Sequence, residues 1–139
     1  MFHLAFPINN IADTKAFYCQ GLGCTLGRES PRSLILNLGG HQIVAHLVET
    51  PLEPQGSIYP RHFGLILETA AEWEALLDRA QEQSLKFAQN PKHRFPGSIL
   101  EHRTFFLEDP AHNLLEFKFY LHPEAIFGAV DQDKIGDPE

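Results

Sequence analysis

PRHFGLILE, residues 60–68, sets a histidine and a glycine into an apolar strand at the middle of the chain, and MFHLAFPIN, residues 1–9, opens the chain in the same way. His3 is followed two residues later by Ala5, and His62 by Gly64. Strand neighbours on one face are two apart, so each small residue is expected to leave open space beside an imidazole, as a buried ligand requires. One strand histidine is ordinarily a hydrogen-bonded edge residue. A histidine repeated at matching places in two halves calls for a common cause.

Working outward, residues 2–8 read as a strand ended by Pro7, and a helix follows with Asp13 as its cap, ending at Gly21 and Gly23. Strands are predicted near 24–29, 32–38 and 41–49, punctuated by Pro31 and Gly39-Gly40. TPLEPQGSIY, residues 50–59, reads as a linker. The order then restarts, with a strand over 60–68 and a helix over 70–84 carrying Trp73, Leu76, Leu77 and Ala80 on one stripe. A short strand near 85–88, a proline-rich loop at 90–98, and strands at 100–108 and 113–120 complete it. Both halves read β-α-β-β-β, an α+β domain over residues 1–122 with modules at about 1–49 and 60–122 and a tail at 123–139. Pairing HQIVAH (41–46) with AHNLLE (111–116) superposes His46 on Glu116.

The 139 residues suit one domain with its own hydrophobic core. Eleven Lys and Arg against 18 Asp and Glu give a net charge of -7, and the basic residues do not cluster, which argues against nucleic acid as a partner. No apolar run approaches the ~20 residues of a membrane span, and no signal segment precedes the first strand, so a reducing, cytoplasmic setting is expected. Cys19 and Cys24 are expected to be reduced, half-buried apolar residues.

His3, His62 and Glu116, from three separate strands, form the donor set of a 2-His-1-carboxylate site, which leaves positions open on a divalent ion. Two neutral imidazoles and one carboxylate leave residual positive charge there, suited to an anionic bidentate oxygen ligand. A carboxylate flanked by Leu114, Leu115 and Phe117 needs a compensating positive group, which a metal, Lys118 or Arg103 can supply. His102 and Arg103 must face opposite sides of their strand. His41, His93, His112 and His122 read as turn, loop or tail residues, and the strand phenylalanines mostly as core.

FHLAFPINNIADTKAFYCQGLGC (2–24), HFGLILE (62–68) and TFFLEDPAHNLLEFK (104–118) resemble the vicinal oxygen chelate superfamily, which holds glyoxalases, bleomycin- and fosfomycin-resistance proteins and extradiol dioxygenases. GGHQIVAHL (39–47) is most similar to a single-domain extradiol dioxygenase subgroup. The resemblance implies two βαβββ units curved around a metal held by His3, His62 and Glu116, with Fe(II) expected and Mn, Ni or Zn as alternatives. His46 falls where the glyoxalase branch carries an additional glutamate, and it is expected to act as a catalytic base or further ligand. The implied function is a metal-dependent dioxygenase acting on a catechol-like small molecule. A glyoxalase-like lyase, a fosfomycin-resistance-like transferase and a sequestering binding protein stand as alternatives. A homodimer is the superfamily's habit, and Ala125, Ile126 and Phe127 offer an apolar patch for a partner subunit.

Overall fold

The computed structural model describes residues 1–136. Strand β1 (His3–Ile8) leads into helix α1 (Ile11–Lys15) and a π-helical turn (Ala16–Gly21), then β2 (Thr25–Ser30), β3 (Ser33–Leu38) and β4 (His41–Leu47). The second module repeats this with β5 (Phe63–Ile66), α2 (Ala70–Glu82), β6 (Phe87–Arg94), β7 (His102–Glu108) and β8 (Leu114–Tyr120). A 3-10 turn, Pro123–Ile126, begins the tail. The strands form two four-stranded sheets, ordered β1-β4-β3-β2 and β5-β8-β7-β6. In each, the opening strand runs parallel to the closing one and the remaining pairs are antiparallel. This is the α+β architecture of two βαβββ modules. No described helix is long and apolar enough to cross a membrane.

The alternation along each strand separates two faces. Phe6, Ile8, Leu34, Leu36, Ile43 and Ala45 of the first sheet join Phe105, Leu107, Leu115 and Phe117 of the second in one core with Phe17, Tyr18 and Trp73 from the helical side. Each fully buried leucine, isoleucine or phenylalanine among them contributes about 1.5–3 kcal/mol. The residues between them in sequence, including His3, His46 and Glu116, therefore lie on the opposite, open faces. Modules are tied together by Arg79 of α2, which donates to the carbonyls of Gly21 (2.9 Å) and Gln20 (3.0 Å) at the end of the π-helical turn.

Several local expectations change. Asn10, not Asp13, caps α1: its Oδ1 accepts from the Asp13 amide at 2.8 Å. Thr69 caps α2 in the same way, accepting from Glu72 at 3.1 Å. The expected loop at 90–98 is mostly strand, because β6 lies at the sheet edge with register shifts around Gln89, where Pro91 can sit without costing a ladder hydrogen bond. The opening strand of the second module is short, starting at Phe63 rather than 60. Gly64 does not leave a void beside His62: a side chain there would collide with the Glu116 carbonyl, so glycine serves the close approach of β5 to β8. The tail is described to Gly136, and residues 137–139 of the segment expected to form it lie outside the described residues.

Candidate functional site

Caps and ladders fix how the halves correspond. His3 and Asn10 match His62 and Thr69, so Ala5 matches Gly64. Ala5 pairs with Val44 on β4, whereas Gly64 pairs with Glu116 on β8. Val44 is therefore the counterpart of Glu116, and the expected superposition of His46 on Glu116 is two residues out. The cause is turn length: β3 and β4 close through the Gly39-Gly40 pair, with Leu38 opposite His41, while β7 and β8 close through a longer turn, with Glu108 opposite Leu114. His46 pairs instead with Pro7 and Ser33, and its Nδ1 lies 3.0 Å from the Ser33 hydroxyl. Pro7 lies four residue steps from His3, about 13 Å along the strand.

On the open face of the second sheet, His62 and Glu116 meet. His62 Nε2 lies 3.2 Å from Glu116 Oε1. Its Nδ1 donates to the Ile58 carbonyl at 2.7 Å, which leaves Nε2 as the nitrogen free to bind a proton or a cation. The Phe106 ring stands edge-on to the imidazole, 5.0 Å between centroids. Thr104, wholly buried, donates to Glu116 Oε2 at 2.6 Å, and Lys118 Nζ lies 4.0 Å from the same oxygen. Arg103, the other cation considered for Glu116, instead pairs with Glu74 at 3.1 Å.

The two partners shift each other's titration. The hydrogen bond to Glu116 chiefly raises the His62 pKa, against a smaller lowering by burial. Burial pushes Glu116 up, but the His62 hydrogen bond, the Lys118 charge and the Thr104 hydroxyl together outweigh it and hold the carboxyl below its usual value. An ionised carboxylate beside a histidine of fixed tautomer has the chemistry of two donors that could hold a divalent cation.

His3 lies elsewhere on this chain. Exposed on the open face of the first sheet, it hydrogen-bonds through Nδ1 to Gln42 Oε1 at 2.7 Å. Among the described residues, no three His, Cys, Asp or Glu side chains come together as a set able to hold a metal ion. Cys19 and Cys24 are both free. His93 and His112 pair with Glu101 (2.8 Å) and Glu108 (2.6 Å), and His41 accepts from the Phe2 amide at 3.1 Å.

Of the pair His102 and Arg103, expected to face opposite sides, it is His102 that shares the Glu116 face, and Thr104, for which the sequence suggests no site role, shares it too. The ladder pairs Thr104 with Lys118 and His102 with Tyr120, and His102 is 7% exposed. The signal was available in the alternation of HRTFF, once Glu116 fixes which face is open.

A structure of a glyoxalase/bleomycin resistance protein/dioxygenase from Alicyclobacillus acidocaldarius is 38% identical, with a TM-score of 0.85, covering 91% of this chain and 95% of that one. A fosfomycin resistance protein of Listeria monocytogenes (14% identity, TM-score 0.71, covering 90% and 96%) and a lactoylglutathione lyase of Agrobacterium tumefaciens (17%, 0.65, 86% and 92%) share the fold. Comparison with curated proteins gives no match. The family model described as Glyoxalase/Bleomycin resistance protein/Dioxygenase superfamily matches residues 1–117, nearly the whole of both modules, and the chain belongs to that superfamily.

Proposed function

We propose that the chain is a metal-dependent, extradiol-type dioxygenase of this superfamily, acting on a small molecule with two adjacent oxygens. The observation that carries the reading is the His62–Glu116 pair, a carboxylate and an imidazole at 3.2 Å with the imidazole's other nitrogen pinned by a carbonyl. The counterpart of Glu116 in the first module is Val44, so the chain offers one carboxylate and two histidines, which favours a three-ligand site over one with a second carboxylate. Bound there, Fe(II) supplies the Lewis-acid and redox chemistry of such a cleavage. The chain's own contributions are distinct. Ile58 holds the tautomer of His62, Thr104 orients the carboxylate, and Phe106 excludes water from one side of the imidazole.

The third ligand, His3, is proposed to reach the pair from a second copy in a homodimer. Its exposure and its separation from the pair within one chain support this, as does the exposed state of its neighbours Ala5, Pro7 and His46 on the same sheet face. His46 would arrive on that same face. With Nδ1 held by Ser33, its Nε2 is proposed as the catalytic base.

Anaerobic reconstitution with Fe(II), followed by oxygen uptake over a catechol panel, tests the activity; no metal-dependent uptake with any member rejects it. Mixing tests the assembly. His3→Ala and Glu116→Gln chains, each unable to bind metal alone, should together recover about a quarter of the wild-type sites, since half the dimers are mixed and each holds one intact site. No recovery places His3 with its own chain's pair.

A further inference from the structure

Beyond Lys118 the open face of the second sheet holds a cavity of about 350 Å³, lined among others by Phe95, His102, Lys118 and Tyr120, and bordered on its outer side by the tail from Ala125 to Gly136, whose Phe127 and Ile135 side chains are themselves exposed. The tail is anchored at both ends of its path. Its 3-10 turn begins three residues after the end of β8, Lys134 Nζ sits 5.8 Å from the Phe95 ring centroid, and a side chain at Gly136 would strike the Tyr59 hydroxyl. The Tyr59 ring is in turn 6.0 Å from the His62 ring. Residues 123–136 thus cross from the end of β8 to the linker beside His62.

The cavity has a chemical polarity unlike the rest of a chain of net charge -7. Lys118 is largely buried, with its side chain 23% exposed, and its ammonium lies 5.0 Å from the Tyr120 ring centroid. Its carboxylate neighbour, Glu116, stands at 4.0 Å and is already engaged at closer range by Thr104 and His62. A divalent cation on the His62–Glu116 pair would claim that carboxylate further and place a second positive charge beside Lys118. The ammonium then needs an anion from the ligand. His102 donates Nδ1–H to the Leu100 carbonyl at 2.8 Å, so its Nε2 is left as an acceptor for a hydroxyl. Burial holds this histidine below its usual pKa, in keeping with a neutral ring. The rings of Phe95 and Tyr120 flank it at 6.0 and 5.0 Å.

We infer that this cavity is a recognition chamber for an anionic aromatic ligand, its carboxylate paired with the Lys118 ammonium, its ring set against Phe95 and Tyr120, and its outer wall made by the C-terminal segment. The inference rests on the proposed function, for it names the part of the substrate remote from the chelating oxygens: a hydroxyaryl carboxylate.

The test uses the metal-free full chain and two probes without adjacent oxygens on the ring, 4-hydroxybenzoate and its neutral relative 4-hydroxybenzyl alcohol, compared by calorimetry. Wild type should prefer the carboxylate by about tenfold or more. Lys118→Met should abolish that preference and Lys118→Arg keep it. Glu116→Gln should sharpen it, because Lys118 loses its competitor. Gly136→Val, which drives the tail off Tyr59, should weaken both probes alike. Equal affinity for the two probes in wild type, or an undiminished preference in Lys118→Met, overturns the chamber. Zinc titration of the same samples separates the two readings: zinc affinity without carboxylate preference rejects the chamber alone, and preference without zinc affinity rejects the metal reading alone.

Discussion

Asp109 and Glu116 stand at the two ends of one turn-and-strand unit, both carboxylates out of water, and they are satisfied in opposite ways. Asp109, 3% exposed, accepts four hydrogen bonds: Oδ1 from the amides of Ala111 and Asn113 (2.8 Å each), Oδ2 from the Tyr18 hydroxyl (2.7 Å) and the Asn113 amide side chain (2.9 Å). All four donors are neutral dipoles. Burial raises its pKa despite them. Glu116 has fewer close partners, but two of them carry or can carry positive charge, and its pKa falls. Dipoles from both modules fix a carboxylate in place, with Asn113 also donating to the Pro7 carbonyl of β1 at 2.8 Å. Charges leave a carboxylate ionised and exchangeable. The first arrangement is a strut and the second is the seat proposed for a cation.

Asp109→Ala should give the largest effect on folding. It strips the acceptor from four buried or half-buried donors, including the hydroxyl of the wholly buried Tyr18, and the expected loss is about 3–5 kcal/mol in urea unfolding. Metal affinity per folded molecule should be unchanged. A loss below about 1 kcal/mol would show that the strut carries little.

Glu116→Gln should reverse the pattern. Stability is expected to move by about 1 kcal/mol or less, because a desolvated charge leaves together with its partners' gain. Calorimetric metal affinity should fall by about a hundredfold or more, the proposed carboxylate ligand being lost outright. The same change should return the His62 titration, followed by its ring proton resonances, toward the ordinary value.

These contrasts also separate what the sequence makes legible from what it hides. His62 and Glu116 could be found from strand alternation and the repeat because Glu116 lies on a regular ladder and His62 immediately precedes one, in a frame fixed by the Thr69 cap. Counting from the turn pairs His46 with Glu116, but the two modules close that turn with different lengths, so the true counterpart is Val44. The role of Gly64 was misread for a related reason: a missing side chain looks like space in sequence, whereas here backbone fills it. The Asp109 strut joins residues from opposite ends of the chain, and no periodicity connects Tyr18 to Asp109. Nor does any pattern in the strands announce that the tail returns to Tyr59. Separation of His3 from the pair is a matter of how modules pack, which local sequence does not encode.

Acid and base should distinguish the two carboxylates next. His62 titrates above its unfolded value of about 6.5, so its contribution is complete below that pH and is lost as pH rises through the raised value. Glu116 titrates below its unfolded value of about 4.3, so its contribution is present above that pH and is lost as pH falls through the depressed value. The pair therefore stabilises most in the interval between. Asp109, raised, does the reverse of Glu116: its contribution is complete below about pH 3.9 and is lost as pH rises through its folded value. Thermal midpoints across pH 3–8 should lose the decline on both sides of that interval in Glu116→Gln, and Asp109→Asn should flatten the opposing acid-side slope. Identical profiles for wild type and both variants would remove the distinction.

The smallest expected effect falls on Thr104→Val, which keeps the shape of a wholly buried side chain and deletes only the hydroxyl that meets Glu116 Oε2 at 2.6 Å. If Glu116 is a seat whose orientation matters, metal affinity should drop by about tenfold, the scale at which partners of ligating groups act. Folding should change by only about 1 kcal/mol, one hydrogen bond's net worth. Thr104→Ser should restore the affinity. A stability loss like that of Asp109→Ala with metal affinity untouched would instead make Thr104 a second strut, and would move Glu116 across the comparison to the same side as Asp109.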